Sequence, residues 1–346
     1  MNNTSYKRFT EGEIAEKLYN LAKNKEKLLI IAHRNPDGDA VGSAFALKLI
    51  YEDMGGSAKC VFADPIPDYL RFLIRGQNDT EYKENEEFDC MITVDTASVQ
   101  QMGGLSHLAD RVSFAIDHHA MGEQYCDALI DGEASAAGEI VYYIYSALVA
   151  EGVLENDAEI FRLIYAAISA DTGSFRYSNT TYKTHIAVAS FIELINEDKN
   201  GMSTSEIARL IHDSKSMANL KATKLCIEKM ESAADGRITY AVIERADIEN
   251  SGISDEDMGA CIDIPRSVAG SLLSFVLKEV KDSEEGKRSF RISARSSCDI
   301  SVAEICRKFG GGGHAKAAGG AVTAENAKEA EKAVLSEFLA ALNEVK

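Results

Sequence analysis

Short apolar runs rich in β-branched residues alternate with longer helical patterns through the first half of the chain. The runs have the length of buried strands, and they are KLLIIA (27–32), AKCVF (58–62), FDCMITV (88–94) and RVSFAI (111–116). Helical patterns such as AVGSAFALKLIYEDMG follow them. Because parallel strands need long crossover connections, this alternation predicts an α/β domain whose mainly parallel sheet is covered by helices on both faces.

The second half of the chain is typical of a separate, smaller domain. A length of 346 residues exceeds what a single hydrophobic core usually serves. The polar stretch NEDKNGMSTSE (196–206) interrupts a helical region, and three strand-like runs come after it. We therefore predict a larger N-terminal domain over 1–196, a helical linker over 197–218 and a smaller C-terminal α/β domain over 219–346.

The composition argues against several classes of function. The chain carries 37 basic and 55 acidic residues, a net charge of −18, which opposes binding along long duplex nucleic acid. Its seven cysteines are scattered without a C-x-x-C pair, as in a reduced, cytoplasmic protein that has no zinc ribbon. No run of about 18 apolar residues occurs, so we expect neither a membrane span nor a secretion signal.

Acidic and histidine residues follow three of the predicted strands at the point where each strand ends. They are His33, Asp37 and Asp39 after the first run, Asp95 after the third, and Asp117, His118 and His119 after the fourth. Each group alone has an ordinary explanation as part of a turn. Because the carboxyl ends of parallel strands meet at one edge of a sheet, we expect these side chains to share one crevice.

A further acid, Asp171, follows an apolar helical pattern in the segment YAAISADTGSFRYSNTT. By itself it would be a helix terminator or cap. Together with the acids at the strand ends it would form a strongly repulsive cluster, in which each desolvated carboxylate is costly. Divalent cations would remove that cost, and carboxylates with one or two imidazoles favour manganese over magnesium or zinc. The number of acids suits two ions, which indicates phosphoester hydrolysis at a two-metal site.

Four ordered motifs resemble those of the DHH phosphoesterase family, which is named for the triplet at 117–119. They are HRNPDGDAVGS (33–43), VDTAS (94–98), DHH and ADTGSF (170–175). Near the other end, RKFGGGGHAKAAGG (307–320) resembles the signature of the DHH-associated domain that accompanies these catalytic domains. The overall plan is most similar to the bacterial nanoRNases, which trim very short RNA to mononucleotides and remove the 3′-phosphate from 3′-phosphoadenosine 5′-phosphate.

This resemblance implies roles for the acids and histidines, with two divalent cations, manganese by preference, bound by the N-terminal domain. The implied ligand sets, which share a bridging Asp95, are His33, Asp37 and Asp95 for one ion and Asp39, Asp95, His118 and Asp171 for the other. Asp117 would orient a histidine. His119 would stabilise the scissile phosphate or protonate the leaving oxygen. The active site would then lie in the cleft between the two domains.

The glycine-rich stretch has two interpretations. Four consecutive glycines (310–313) are often a flexible linker, but a helical pattern before them and His314 after them favour a backbone nest for a phosphate. Local charge supports the second interpretation, since 287–316 holds seven Lys/Arg and two acids. Arg291 and Arg295 share one face of a predicted strand. By resemblance, the residues assigned to substrate binding are Arg295, Gly311, Gly312, Gly313 and His314.

We therefore expect a cytoplasmic enzyme that hydrolyses short oligoribonucleotides to mononucleotides and 3′-phosphoadenosine 5′-phosphate to AMP, without a membrane partner. Short substrates are favoured because only Phe290 and Phe309 lie near the basic stretch, too few for a long stacking track. Hydrolysis of linear or cyclic dinucleotides, or of polyphosphate, is the alternative within this chemistry. A nucleotide-binding regulator without catalysis is the alternative outside it. The oligomeric state stays open, with a homodimer as one expectation.

Overall fold

A computed structural model describes residues 6–74, 76–120, 122–280 and 287–344. The chain divides into two compact units between Ser214 and Lys215, a point inside the predicted linker. No helix in these described ranges is both long and apolar enough to cross a membrane. All seven cysteines lie in the described ranges, and each is a free thiol.

The first unit is built on a five-stranded parallel sheet in the order β2-β1-β3-β4-β5. Its strands are β1 (Lys27–Ile31), β2 (Ser57–Val61), β3 (Cys90–Val94), β4 (Val112–Asp117) and β5 (Ala128–Ile130). Successive side chains of β1 enter two different hydrophobic clusters, with Leu28 and Ile30 on one face and Leu29 and Ile31 on the other. Burial of both faces explains why the strands are continuously apolar rather than alternating.

Seven α-helices belong to the described part of the first unit. They are α1 (Glu11–Lys23), α2 (Gly38–Asp53), α3 (Ala137–Ala150), α4 (Ala158–Asp171), α5 (Tyr182–Ala189), α6 (Ile192–Glu197) and α7 (Thr204–Ala208). The first four pack on one face of the sheet. The opposite face is covered by the 3₁₀ stretch Val99–Arg111, through Met102, Leu105 and Leu108.

Small residues let α2, α3 and α4 approach one another closely. A Cβ atom added at Gly42 of α2 would lie 2.7 Å from the carbonyl oxygen of Leu163 in α4. A Cβ at Gly38 would lie 2.5 Å from Cβ of Ala170, and one at Gly138 of α3 would lie 2.4 Å from Cβ of Ala167. The three helices therefore meet backbone to backbone next to the ends of the strands.

The second unit contains a six-stranded sheet in the order β10-β11-β9-β8-β7-β6. Its strands are β6 (Met230–Ala233), β7 (Ile238–Ile243), β8 (Leu273–Glu279), β9 (Arg288–Ser296), β10 (Gly312–His314) and β11 (Ala317–Ala324). Only the β7–β8 pairing is parallel among these strands. The helices are α8 (Met217–Glu228), α9 (Arg245–Ser251), α10 (Asp263–Arg266), α11 (Val302–Arg307) and α12 (Ala327–Glu344).

The glycine-rich stretch differs from the loop that its composition predicts, because it enters the antiparallel hairpin of β10 and β11. A Cβ at Gly311 would lie 1.9 Å from the carbonyl oxygen of Gly319. Gly313 has a φ of 139°, and a Cβ there would lie 2.7 Å from the carbonyl oxygen of Ala317. Close approach of the two strands therefore accounts for glycine at both positions.

Candidate metal centre

The carboxyl ends of three neighbouring strands bring the predicted acids and histidines together. His33 follows β1, Asp95 follows β3, and Asp117 ends β4 directly before His118 and His119. Two helices supply the remaining acids, which are Asp37 and Asp39 at the start of α2 and Asp171 at the end of α4. The sequence placed these groups at one edge of the sheet, and the structure has them there.

The cluster contains three overlapping triads, and within each triad the three ligand atoms all lie within 4.8 Å of one another. The triads are His33, Asp37 and Asp95; Asp39, His118 and Asp171; and Asp95, His118 and His119. The first triad matches one ligand set implied by the family resemblance. The second contains three of the four members of the other set, and its His118 Nε2 lies 3.5 Å from Asp95 Oδ1.

Asp95 lies at the centre of the cluster and has an unusual environment. Its side chain is buried, with 2% of the residue exposed, and its backbone has a φ of 52°, in the left-handed region. One carboxylate oxygen, Oδ1, is buried without a hydrogen-bond partner among the described residues. A buried carboxylate oxygen without a donor is costly, and a cation is a partner that removes this cost.

Asp37 and Asp39 are held by backbone amides. Asp37 caps α2, because its Oδ1 accepts hydrogen bonds from the backbone nitrogens of Asp39 and Ala40, both at 3.0 Å. Asp39 accepts from the backbone nitrogens of Ala137 (2.7 Å) and Gly138 (2.9 Å) and from Ser43 Oγ (2.8 Å). Both carboxylates therefore have fixed orientations before any cation binds.

His33 presents one defined nitrogen to the acids. Its Nδ1 donates to the carbonyl oxygen of Arg34 at 2.8 Å, which leaves Nε2 3.3 Å from Asp95 Oδ2 and 3.7 Å from Asp37 Oδ1. Burial opposes the charged imidazole, but hydrogen bonds and charges from Asp37 and Asp95 outweigh it and raise the pKa of His33 to about 11. In the absence of a bound cation, a proton on His33 Nε2 therefore supplies the positive charge beside Asp37 and Asp95.

Two acids of the cluster, Asp39 and Asp171, resist ionisation. Burial, followed by the charges of Asp95, Asp171 and Asp37, raises the pKa of Asp39 well above its usual range. Burial also raises the pKa of Asp171 to about 6. Crowded carboxylates, two of them with raised pKa values, together with three imidazoles and a buried oxygen that accepts no hydrogen bond among the described residues, form a donor set that fits divalent cations.

Asp117 is in none of the three triads but contacts His119 directly. Its Oδ1 accepts from His119 Nδ1 at 2.8 Å and from the backbone nitrogen of His118 at 3.0 Å. Burial lowers the pKa of His119, but the Asp117 hydrogen bond and charge outweigh it and raise the pKa to about 9. Asp117 is therefore placed to orient a protonated His119, and the catalytic roles of both stay predictions.

The predicted substrate residues lie on the second unit. Arg291 and Arg295 are on the same face of β9, opposite Phe290, Ile292 and Ala294, which enter the core. Gly312 and His314 are exposed on β10, and space is open around Gly312. Substrate binding by these residues and by Gly311 and Gly313 stays a prediction.

Sequence reasoning missed several polar residues that support the cluster. Asn179 donates from Nδ2 to Asp171 Oδ2 at 3.1 Å, and Glu139 is a buried acid that accepts from Ser135 and Thr184. Glu139 is an isolated acid in an apolar helical pattern, which was a usable signal of a buried, partnered carboxylate. Asn179 had no such signal, because asparagine is an ordinary turn residue.

Comparison with known proteins agrees with this architecture. Residues 27–168 match the model of the DHH family, N-terminal domain, and residues 235–341 match that of the DHHA1 domain. The bifunctional oligoribonuclease and PAP phosphatase NrnA of Thermus thermophilus is 29% identical, over 89% of this chain and 88% of its own length.

Two solved structures share the fold. An exopolyphosphatase-related protein from Bacteroides fragilis superposes with a TM-score of 0.80 at 20% identity, covering 96% of each chain. RecJ from Thermus thermophilus, solved in complex with Mn²⁺, has a TM-score of 0.54 at 15% identity and covers 95% of this chain and 54% of its own. With its DHH domain followed by a DHHA1 domain, the chain is a phosphoesterase that belongs to the DHH family.

Proposed function

We propose that this phosphoesterase uses two divalent cations, manganese by preference, to degrade short oligoribonucleotides to mononucleotides and to convert 3′-phosphoadenosine 5′-phosphate to AMP. The observation that carries the proposal is the cluster around Asp95, in which three overlapping triads of ligand atoms lie beside a buried carboxylate oxygen that accepts no hydrogen bond among the described residues. The similarity to NrnA supports this choice of substrates.

His33, Asp37 and Asp95 would hold one cation, and Asp39, Asp95, His118 and Asp171 the other. Bound ions would neutralise the carboxylates, polarise the phosphate and activate water. His119, protonated and oriented by Asp117, donates from its ring to the phosphate or to the leaving oxygen. On the second unit, Arg295, the glycines at 311–313 and His314 bind the terminal phosphate, which restricts hydrolysis to chain ends.

Substrate length provides the decisive test. The purified protein with Mn²⁺ is incubated with 5′-labelled RNA of three and of 24 nucleotides, and with 3′-phosphoadenosine 5′-phosphate. We expect the 3-mer to be shortened stepwise to mononucleotides, the 24-mer to react at least about tenfold more slowly, and AMP to form. Equal rates on both RNAs, or internal cuts, would contradict the proposal. A linear and a cyclic dinucleotide in parallel test the alternative substrates.

The role of the second unit is tested with Arg295→Ala, with Arg291→Ala as the matched control on the same face of β9. Loss of a charged phosphate contact costs about 1.5–3 kcal/mol, so KM should rise roughly 10- to 100-fold in Arg295→Ala. The control should change KM much less. An equal rise in both variants would mean that only general charge matters there.

A further inference from the structure

The loop after α4 has a strained backbone beside the candidate metal centre. Three consecutive residues, Gly173, Ser174 and Phe175, have left-handed φ values of 56°, 59° and 63°. Such a conformation costs about 1–2 kcal/mol for a residue other than glycine. Strain of this kind persists where the surrounding structure requires a special path of the chain. Here the loop turns back so that Asn179 contacts Asp171, the last residue of α4.

The amide of Asn179 has one determined orientation. Its Nδ2 donates to Asp171 Oδ2 at 3.1 Å, to the Asp171 carbonyl oxygen at 3.1 Å and to the Ser135 carbonyl oxygen at 2.8 Å. All three are acceptors, so only the nitrogen can face them. The amide oxygen, Oδ1, is buried without a hydrogen-bond partner among the described residues. An unpaired buried acceptor costs about 1–3 kcal/mol, which stability alone does not explain.

Glu139 holds Ser135, the residue whose carbonyl oxygen accepts a hydrogen bond from Asn179. Its Oε2 accepts from the backbone nitrogen of Ser135 (3.0 Å), from Ser135 Oγ (2.6 Å) and from Thr184 Oγ1 (2.9 Å). Its Oε1 accepts from the hydroxyl of Tyr143 at 3.2 Å. With 1% of Glu139 exposed, these are the contacts of a rigid, buried anchor.

The same short segment also holds Asp39. The backbone nitrogens of Ala137 and Gly138, two and three residues after Ser135, donate to the two oxygens of Asp39. Asp39 and Asp171 form one triad with His118, and two neighbouring carboxylates repel each other. Segment 135–138 therefore supports both carboxylates, one directly and the other through Asn179.

We propose that Asn179 is a positioning residue that holds Asp171 at a fixed place relative to Asp39 for the cation bound with His118. This inference rests on the proposed function. Loss of such an outer hydrogen bond typically weakens metal binding 10- to 100-fold. The triad of His33, Asp37 and Asp95 has no hydrogen bond with Asn179 and should keep its affinity.

The test is a calorimetric titration of metal-free protein with Mn²⁺, beside thermal unfolding of the same samples. The variants are Asn179→Ala and the more polar Asn179→Ser, which protects the test if alanine prevents folding. Asn196→Ala is the matched control, since Asn196 Oδ1 accepts from the backbone nitrogen and hydroxyl of Thr204, both at 3.1 Å, in the same unit. Its loss should reduce stability without affecting metal binding.

We expect two Mn²⁺ equivalents in the wild type and in Asn196→Ala. In the Asn179 variants, one equivalent should bind as before and the other about 10- to 100-fold more weakly. Unchanged binding of both equivalents would overturn the positioning role alone, as would equal weakening of both. A wild type that binds no Mn²⁺ would overturn the proposed function and this inference with it.

Discussion

A buried aspartate with a left-handed backbone is rare in proteins, and Asp95 has both properties. The backbone turns sharply after β3, and this directs the carboxylate into the cluster rather than along the strand. Like aspartate, asparagine tolerates this conformation better than most other residues with a side chain do. The conformation and the charge of this residue can therefore be separated by a single substitution.

Asp95→Asn should keep the fold and abolish function. The variant retains the size and backbone preference of the residue but loses the charge shared by two triads. We expect hydrolysis to fall by more than about 100-fold, since even supporting residues of metal sites contribute 10- to 100-fold. The rise in Tm that Mn²⁺ produces in the wild type should also disappear. A variant that keeps the Mn²⁺-induced rise would show that Asp95 is not a ligand.

Glu279 in the second unit gives stability a defined pH dependence. It accepts from Arg288 Nε at 2.6 Å and from the backbone nitrogen of Arg245 at 2.8 Å, and 7% of the residue is exposed. The Arg288 hydrogen bonds, against an opposing effect of burial, hold the pKa of Glu279 below its ordinary 4.5. Its contribution is therefore complete above that pH and is lost as the pH falls through the lowered value.

Glu279→Gln should lower the free energy of unfolding by about 2 kcal/mol at neutral pH, because Arg288 loses a partly buried partner. The difference from the wild type should shrink as the pH falls to about 3. Urea unfolding at both pH values measures it. Glu249→Gln, on an exposed side chain that pairs with Arg245, serves as the control and should change stability little. A pH-independent difference would contradict the assignment.

At the scale of the elements, the sequence predicted most of what positions the site. Continuous apolar runs located β1 to β4, because strands buried on both faces need them. The three-residue β5 is too short to be distinguished, and the Ala- and Gly-rich β11 has β-branched residues only at Val322 and Thr323, too few to mark a strand. The loop from Gly173 to Asn179 depends on contacts between distant segments, so local sequence did not predict its path.

The contact of α2 with α4 makes a further prediction. An added Cβ at Gly42 would lie 2.7 Å from the Leu163 carbonyl oxygen and 3.0 Å from the Ala167 Cβ. Gly42→Ala should lower the free energy of unfolding by about 1–3 kcal/mol, although alanine favours helix by up to about 1 kcal/mol. Gly12→Ala in α1 has no neighbour within 4 Å and should instead stabilise slightly. Urea unfolding of both variants measures the two changes. An equal gain in stability for Gly42→Ala and Gly12→Ala would contradict close packing at Gly42.

At the scale of the whole molecule, charge is unevenly distributed along the chain. The total is −18, yet 287–316 carries seven basic residues and two acids, a local +5 against −23 elsewhere. Long RNA would meet repulsion over most of its length, whereas a short substrate needs only the local basic region. The chain as a whole therefore favours small anionic substrates.

Salt should affect long and short RNA differently. Raising KCl from about 50 to 300 mM shortens the screening length and weakens the repulsion of the acidic surface. We expect the rate on a 24-mer, divided by the rate on a 3-mer, to increase with salt. Initial rates at constant Mn²⁺ measure this ratio. A ratio that falls steeply, as for proteins with a continuous cationic track, would contradict the argument.

The glycine and alanine contacts between α2, α3 and α4 have a consequence for altering this protein. Since the main chains approach one another this closely and the nearest side-chain atoms are mostly alanine methyl groups, little can rearrange there when one acid is exchanged for another group. The spacing of the cluster is thus inherited from the backbone. Such a pocket is a suitable scaffold for engineering, in which single replacements could install a different ion preference while the frame stays unchanged.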